Sequence, residues 1–389
     1  MIYLDNAAST QIHEDVLNSM LPYLKEQYGN PSSLHRYGRL AHKAIEKSRK
    51  QIASLINAEP SEILLTSGGT ESNNTALQGI AMKNTSGQII TSLIEHDAIL
   101  EPCKKLEQNG FDVDYLPVNK FGMVDSSVLK SHISNKTSLV SIMFGNNEVG
   151  TIQAISELSK ICNENNILFH TDAVQAVGKV PLDVKKLGID LLSISSHKLY
   201  GPKGIGVLYI KNGIDIDPVI LGGGQEHGLR SGTENVASIV GFGKACEMAK
   251  NNLNENISQI KKLRDNLVEK ILNEIPEVVL NGHPQFRLPN NAHFTFLGVN
   301  GEDLIIKLDE YGIAASTGSA CSVNTQKASH VLQAMGFSLE QITGSLRLTI
   351  GIFNDQKEIE QTVDILKKIV QELRAVSPFK EKYSFVSKN

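Results

Sequence analysis

The stretch DLLSISSHKLYGPKGIGVLYI, residues 190–210, shows how this chain is built. A strand-like apolar run ends at Ser195, and a polar turn then presents Ser196, His197 and Lys198. A Gly/Pro-rich return leads into a second strand-like run. In open α/β sheets, ligands gather outside the carboxyl ends of the strands, so Lys198 stands where a reactive amine is useful. A lysine that covalently holds an aldehyde cofactor needs such a fixed site, where its amine can act as nucleophile and base. The bland alternative is a loop lysine at the surface, which is how nearby Lys203 reads.

Working outward, the same pattern recurs. Helical periodicity covers residues 14–27 and 39–57, the latter with Leu40, Ala44, Ile45, Ile52, Leu55 and Ile56 at mostly helical spacing. Strand-like runs follow at 63–66, 88–94, 113–116, 139–144, 167–170, 190–195 and 205–210. Several are continuously apolar, as suits strands covered on both faces, and their alternation with helices predicts a mainly parallel α/β sheet. A glycine cluster at 221–233 interrupts the pattern. One long helix is expected over 234–274, ended by Pro276, and the remainder reads as a second, smaller domain. The polar tail, 377–389, reads as exposed.

With 389 residues, 41% hydrophobic and 21% charged, the chain has the size and composition of a folded protein of two or three domains. Its 4 cysteines form no CxxC pair, which argues against a disulfide framework and a structural zinc site. A net charge of −4 offers no general attraction to nucleic acid or to an anionic membrane. The opening MIYLDNAAST lacks the basic region of a signal peptide, and no apolar run approaches the ~18 residues of a membrane span. A cytoplasmic protein is expected.

Other segments present chemistry at strand ends. In NILFHTDAVQAVGK, Asp172 and Gln175 follow an apolar run. A carboxylate placed there needs a positive partner, such as a protonated pyridine nitrogen or a metal, unless it merely caps a helix. In EILLTSGGTESNN, Gly68, Gly69 and Thr70 lead straight into a helix. That arrangement suits a monophosphate at a helix N-terminus, since neither a Walker lysine nor GxGxxG is present. His96 follows the run 88–94 and reads either as a group facing a planar ligand or as a cap. Asn146-Asn147-Glu148 reads as ligand contacts or an Asx turn. Arg347, alternating with Leu346 and Leu348, reads as a carboxylate fork or a surface ion pair. Cys321 lies in a polar, small-residue stretch over 316–329 that reads as a long loop, whereas Cys103, Cys162 and Cys246 read as packing residues. A thiol of ordinary pKa needs a neighbouring base to act as a nucleophile.

Taken in order, these segments resemble the cysteine desulfurase family of pyridoxal-phosphate enzymes, of the NifS/IscS type. The resemblance is carried by YLDNAAST near the start, GNPSSLH at 29–35, TSGGTESNN at 66–74, Glu95-His96, NNEVG at 146–150 and HTDAVQ at 170–175. It continues through SSHKLYGPKG at 195–204, RSGTEN at 230–235, GSAC at 318–321 and SLRLTIG at 345–351. The loop at Cys321 resembles the longer kind found in the family. Ser9 stands where the family commonly has threonine, and Gly69 where many members have alanine.

The resemblance implies an aspartate aminotransferase-like, fold type I architecture. It has a large domain over 13–258 with a mainly parallel sheet, and a smaller α+β domain from 1–12 plus 259–389 that carries Cys321. It implies that Lys198 holds pyridoxal 5'-phosphate covalently and moves protons, that Asp172 faces the pyridinium nitrogen, and that Gln175 bonds the ring oxygen. His96 would stack on the ring and take part in proton transfer. Gly69, Thr70, Ser195 and His197 would hold the phosphate, with Thr233 of the partner subunit in a homodimer. Asn147 and Arg347 would bind the carboxylate of L-cysteine. Cys321 would accept sulfur as a persulfide for an iron–sulfur scaffold or a tRNA thiolase. No metal site is implied beyond transient contact with an iron–sulfur or sulfur acceptor through Cys321, and neither nucleic acid nor membrane is a direct partner. Alternatives within the same fold are a selenocysteine lyase or an aminotransferase. A catalytically silent sulfur carrier or scaffold is the non-enzymatic one.

Overall fold

The computed structural model describes residues 1–83, 86–318 and 328–378. The chain begins with β1 (Ile2–Tyr3), α1 (Glu14–Lys25) and α2 (Arg36–Ile56). Then come β2 (Ile63–Thr66), α3 (Gly69–Met82), β3 (Gln88–Ser92), α4 (Asp97–Gln108), β4 (Asp112–Leu116), β5 (Thr137–Ser141), β6 (Leu168–Asp172), β7 (Leu191–Ser195) and β8 (Gly206–Ile210). Strands β2 to β8 form one seven-stranded sheet in the order β2-β8-β7-β6-β5-β3-β4. Pairings from β4 through β7 are parallel, and β8 runs antiparallel to both β7 and β2. The mainly parallel sheet read from the sequence is therefore present.

Strand side chains alternate between two buried sides. Leu65, Ile90, Val140, Phe169, Leu192 and Val207 join one core, and Leu64, Ile89, Leu139, Leu191 and Leu208 join another. Both faces are covered, which is why the strands read as unbroken apolar runs. Helix α2 turns Ile45, Ile52 and Ile56 inward, whereas Leu40, from the same expected stripe, is exposed.

The single helix expected over 234–274 is two helices, Val236–Asn251 and Leu253–Glu274. The break falls at Asn252, whose φ of −107° and ψ of 11° are non-helical. Asparagine is a weak helix former whose side chain competes for backbone hydrogen bonds, and the local sequence NNLNEN concentrates it there. Beyond the second helix lie β9 (Val278–Leu280), β10 (Asn291–Phe296), β11 (Ile313–Ala314) and β12 (Ser345–Thr349). Strands β9, β10 and β12 form an antiparallel sheet, and β1 pairs in parallel with β11. A separate buried core joins Ile2 and Leu4 to Leu263, Leu267, Phe294, Leu346, Leu366 and their neighbours.

The glycine-rich segment is anchored by a buried ion pair. Arg49 of α2 donates to both carboxylate oxygens of Glu226, at 2.7 and 2.9 Å, and the Leu65 N–H donates to the same carboxylate at 2.9 Å. Removing Glu226 leaves the buried Arg49 guanidinium with the partly exposed Glu46, 3.0 Å from its Nε, as its only ion-pair partner among the described residues. Glu226→Ala is therefore expected to cost about 3–5 kcal/mol, read as a lowered urea midpoint.

Candidate active site

Strands β2, β3, β5, β6 and β7 all end at one edge of the sheet, because β8 reverses direction twice between β7 and β2. The turns at that edge deliver Gly69 and Thr70 after β2, His96 after β3, Asn147 after β5, Asp172, Val174 and Gln175 from β6, and Ser195, His197 and Lys198 from β7. These residues line one cleft of about 670 Å3, and Arg347 of β12 closes it from the other sheet. Ten sequence-derived site residues thus meet there: Gly69, Thr70, His96, Asn147, Asp172, Gln175, Ser195, His197, Lys198 and Arg347. Thr233 is exposed and does not line this chain's cleft. Cys321 and the C-terminal part of the tail lie outside the described residues.

Lys198 Nζ donates to the carbonyls of Ala7 and Ala8, each at 2.6 Å, and Gln175 Nε2 donates to Ala7 O at 2.9 Å. The N-terminal segment thus forms one wall of the cleft. Asp172 is buried; its Oδ2 accepts from Asn73 Nδ2 at 2.6 Å and its Oδ1 from the Val174 N–H at 3.0 Å. It makes no ion pair among the described residues. The turn at 67–70 and Ser195 approach each other closely. A Cβ on Gly206, which pairs with both Thr66 and Ser195, would come within 2.6 Å of the Gly68 backbone. Only a residue without a side chain lets β8 lie beneath that turn.

His96 is a helix cap that also lines the cleft. Its Nδ1 accepts from the Ala98 N–H at 3.0 Å, capping α4, while the ring lines the cleft. In the neutral ring this places the proton on Nε2. Burial, reinforced by Lys198, Lys203 and Lys179, pushes His197 down to about 4, so its imidazole is neutral at physiological pH. Its Nδ1 lies 3.2 Å from Ser9 Oγ. Lys179, buried one turn beyond Gln175, donates to Gln175 O at 3.2 Å, and burial together with Lys198 pushes its amine down to about 7. Burial likewise lifts the Glu95 carboxyl to about 8, despite hydrogen bonds from Ser92 Oγ at 2.6 Å and the Met143 N–H at 2.9 Å.

Arg347 is no surface ion pair. It is buried, with Nη2 donating to Asp5 Oδ1 at 2.8 Å and Nη1 to Asn147 O at 2.9 Å, while its Nε has no partner among the described residues. Cys103, expected near a helix start, lies inside α4. It, Cys162 and Cys246 are buried; burial pushes the first two thiols up to about 12 and also raises the third.

Sequence reasoning gave no role to Asn73, Asp5 or the Ala7 and Ala8 carbonyls. For Asn73 a signal existed: it follows Thr70 by one helical turn, so both share a face of α3. For the N-terminal residues there was none, since their partners lie far away in sequence. Among the described residues no helix is long and apolar enough to cross a membrane, and no cluster of His, Cys, Asp and Glu could hold a metal ion.

Comparison with known proteins agrees with this geometry. Residues 2–362 match the family described as aminotransferase class-V. The chain is 48% identical to the cysteine desulfurase IscS of Dictyoglomus turgidum, over all of this chain and 99% of that protein. It is 50% identical to the cysteine desulfurase IscS of Methanosarcina thermophila, over 98% of this chain and 95% of that one. Among solved structures, a NifS-like protein superposes with a TM-score of 0.89 at 39% identity, covering 96% of this chain and 100% of its own. SspA in complex with cysteine superposes with a TM-score of 0.81 at 37% identity, covering 91% and 100%. With relatives this similar along their whole length, and a cleft assembled from the segments that carried the resemblance, the chain belongs to the class-V aminotransferases and, among them, to the cysteine desulfurase family.

Proposed function

We propose that this protein is a cysteine desulfurase that converts L-cysteine to L-alanine and passes the sulfur, as a persulfide on Cys321, to an acceptor protein. The observation that carries this reading is the convergence of Lys198, Asp172, Gln175, His96 and Arg347 on one cleft. The relatives named as cysteine desulfurases and the cysteine complex of SspA support the substrate.

The residues present fit pyridoxal 5'-phosphate. Asp172 is a buried carboxylate lacking a cation among the described ion pairs, as a pyridinium nitrogen requires. At the 67–70 turn, Gly69 opens α3 beside Ser195 and Val174, which sets the start of that helix at the cleft. Thr70, Ser195 and His197 would hold the phosphate, Gln175 the ring oxygen and Lys198 the aldehyde carbon. When bound, the cofactor supplies an electron-withdrawing ring that stores the electron pair released at the substrate's Cα.

The chain's own groups do the rest. Arg347 and Asn147 hold the substrate carboxylate; the unpartnered Arg347 Nε supports this role, since a buried donor without an acceptor is costly. Lys198 Nζ takes the Cα proton and returns it to Cα once sulfur has left, and His96 takes part in proton transfer. Cys321 thiolate attacks the substrate sulfur. The S–S bond forms as the Cβ–S bond breaks; that electron pair passes to carbon, which takes up a proton and becomes the alanine methyl group. One L-cysteine and one thiol thus give one L-alanine and one persulfide.

A homodimer completes the reading, with Thr233 of the partner subunit at the phosphate. Support comes from the exposed Tyr28, Leu34 and Leu221, apolar surface that a second copy would cover. Residues 13–258 would form the cofactor-holding domain and 1–12 with 259–389 the smaller one, in line with the separate core around Leu346 and Leu366. Iron–sulfur cluster assembly or tRNA thiolation would consume the sulfur, in the cytoplasm.

Intact-protein mass spectrometry after brief exposure to L-cysteine without reductant tests this, with peptide mapping and alanine assay. Sulfur on Cys321 with matching alanine is expected. Alanine with an unmodified Cys321 would instead identify a lyase that releases sulfide directly.

A further inference from the structure

Glu148 has no role in the chemistry above, yet it is 3% exposed and lies in the wall of the cleft. Its Oε2 accepts from Ser329 Oγ at 2.5 Å, and Ser329 Oγ in turn accepts from the Leu332 N–H at 3.1 Å. Gly318 lies beside the same carboxylate. A Cβ there would sit 3.3 Å from Glu148 Oε2 and 3.1 Å from His293 Nε2, and the φ of +104° also favours glycine. The Gly318 carbonyl accepts from Arg347 Nη1 at 3.1 Å.

Glu148 is itself held from behind. Its N–H donates to Asn146 Oδ1 at 2.9 Å, its carbonyl accepts from Asn291 Nδ2 at 2.8 Å, and Asn146 Nδ2 donates to Ile94 O at 3.0 Å. Burial pushes the Glu148 carboxyl up, opposed by the Ser329 hydrogen bond and by His330, Arg347 and His96. A buried carboxylate therefore hydrogen-bonds the chain eight residues after Cys321 (329 − 321) and lies beside it three residues before (321 − 318).

We propose that Glu148 is a positioning residue for the sulfur-accepting thiol, fixing Gly318 and Ser329 on either side of the stretch that bears Cys321. This rests on the reading of Cys321 as the sulfur acceptor. A misplacement of about 1 Å can slow a reaction by two orders of magnitude, so loosening either contact acts on the sulfur-transfer step.

The test separates substrate binding from sulfur transfer in the holoenzyme. Ser329→Ala and Glu148→Ala are each expected to slow the appearance of sulfur on Cys321 in a single turnover by about tenfold or more. The absorbance change caused by L-cysteine binding should keep its amplitude and concentration dependence. Ser329→Thr, which retains the hydroxyl, should restore the rate. If Glu148→Ala fails to fold, the Ser329 pair decides alone. Parallel loss of both signals, or loss of neither, overturns the positioning role. Sulfur that never reaches Cys321 in the unsubstituted protein overturns the underlying reading, and the proposal with it, in a control separate from the variants.

Discussion

Lys198→Ala is expected to abolish L-cysteine turnover, by about a thousandfold or more, while the protein still binds pyridoxal phosphate without a covalent link. Lys198 has two tasks in the proposed function, as the amine that holds the cofactor and as the base at the substrate's Cα, and alanine performs neither. The neighbouring amine cannot replace it. Lys179 lies beyond Gln175, does not line the main cleft, and is bonded to the Gln175 carbonyl at 3.2 Å. The groups assigned to the phosphate and ring, Thr70, Ser195, His197, Asp172 and Gln175, reach the cleft from strand ends that this substitution leaves in place. The measurement is alanine formation, with borohydride trapping and peptide mapping. The native protein should be labelled at Lys198, and the variant should release its cofactor on denaturation. Normal turnover in the variant would remove Lys198 from the mechanism.

Cys321→Ala is expected to lower alanine formation to about 1% of the native rate or less, while cofactor content and the absorbance response to L-cysteine persist. The other three cysteines cannot substitute. They are buried, with Cys103 and Cys162 pushed up to about 12 by burial and Cys246 raised by the same cause, so none supplies thiolate at neutral pH. An aminotransferase or selenocysteine lyase needs no such thiol in its main turnover. Native-like release of alanine and sulfide from the variant would therefore favour those alternatives.

Much of the sheet was legible because strand and turn signals are local. The run 63–66 coincides with β2, and the run 190–195 differs from β7 by one residue at its start. The run 139–144 extends past β5, which ends at Ser141, yet the Ile142 and Phe144 N–H groups still donate to the His170 and Asp172 carbonyls of β6 at 3.1 and 2.9 Å, and all three residues 142–144 are buried. The break at Asn252 was missed because no glycine or proline marks it.

Each site residue carried a bland reading beside the functional one, and neighbouring residues could not decide between them. At His96 the cap is present, with one ring nitrogen accepting from the Ala98 N–H, and the residue also lines the cleft. At Arg347 the ion pair is real but buried, and its partner Asp5 lies 342 positions away in sequence.

By itself, the sequence determined which residue types stand at the ends of which strands, because hydrophobic period and turn chemistry act over a few neighbours. It also carried the family, through many short motifs in one order. Only the tertiary structure decided that these ends share one edge. Strand β8 lies between β2 and β7 and pairs Gly206 with both Thr66 and Ser195, which brings the 67–70 turn against the end of the Lys198 strand. The N-terminal carbonyls at Lys198 and the two contacts on Glu148 arise in the same way. Packing creates such neighbours between segments far apart along the chain, where no local periodicity can record them.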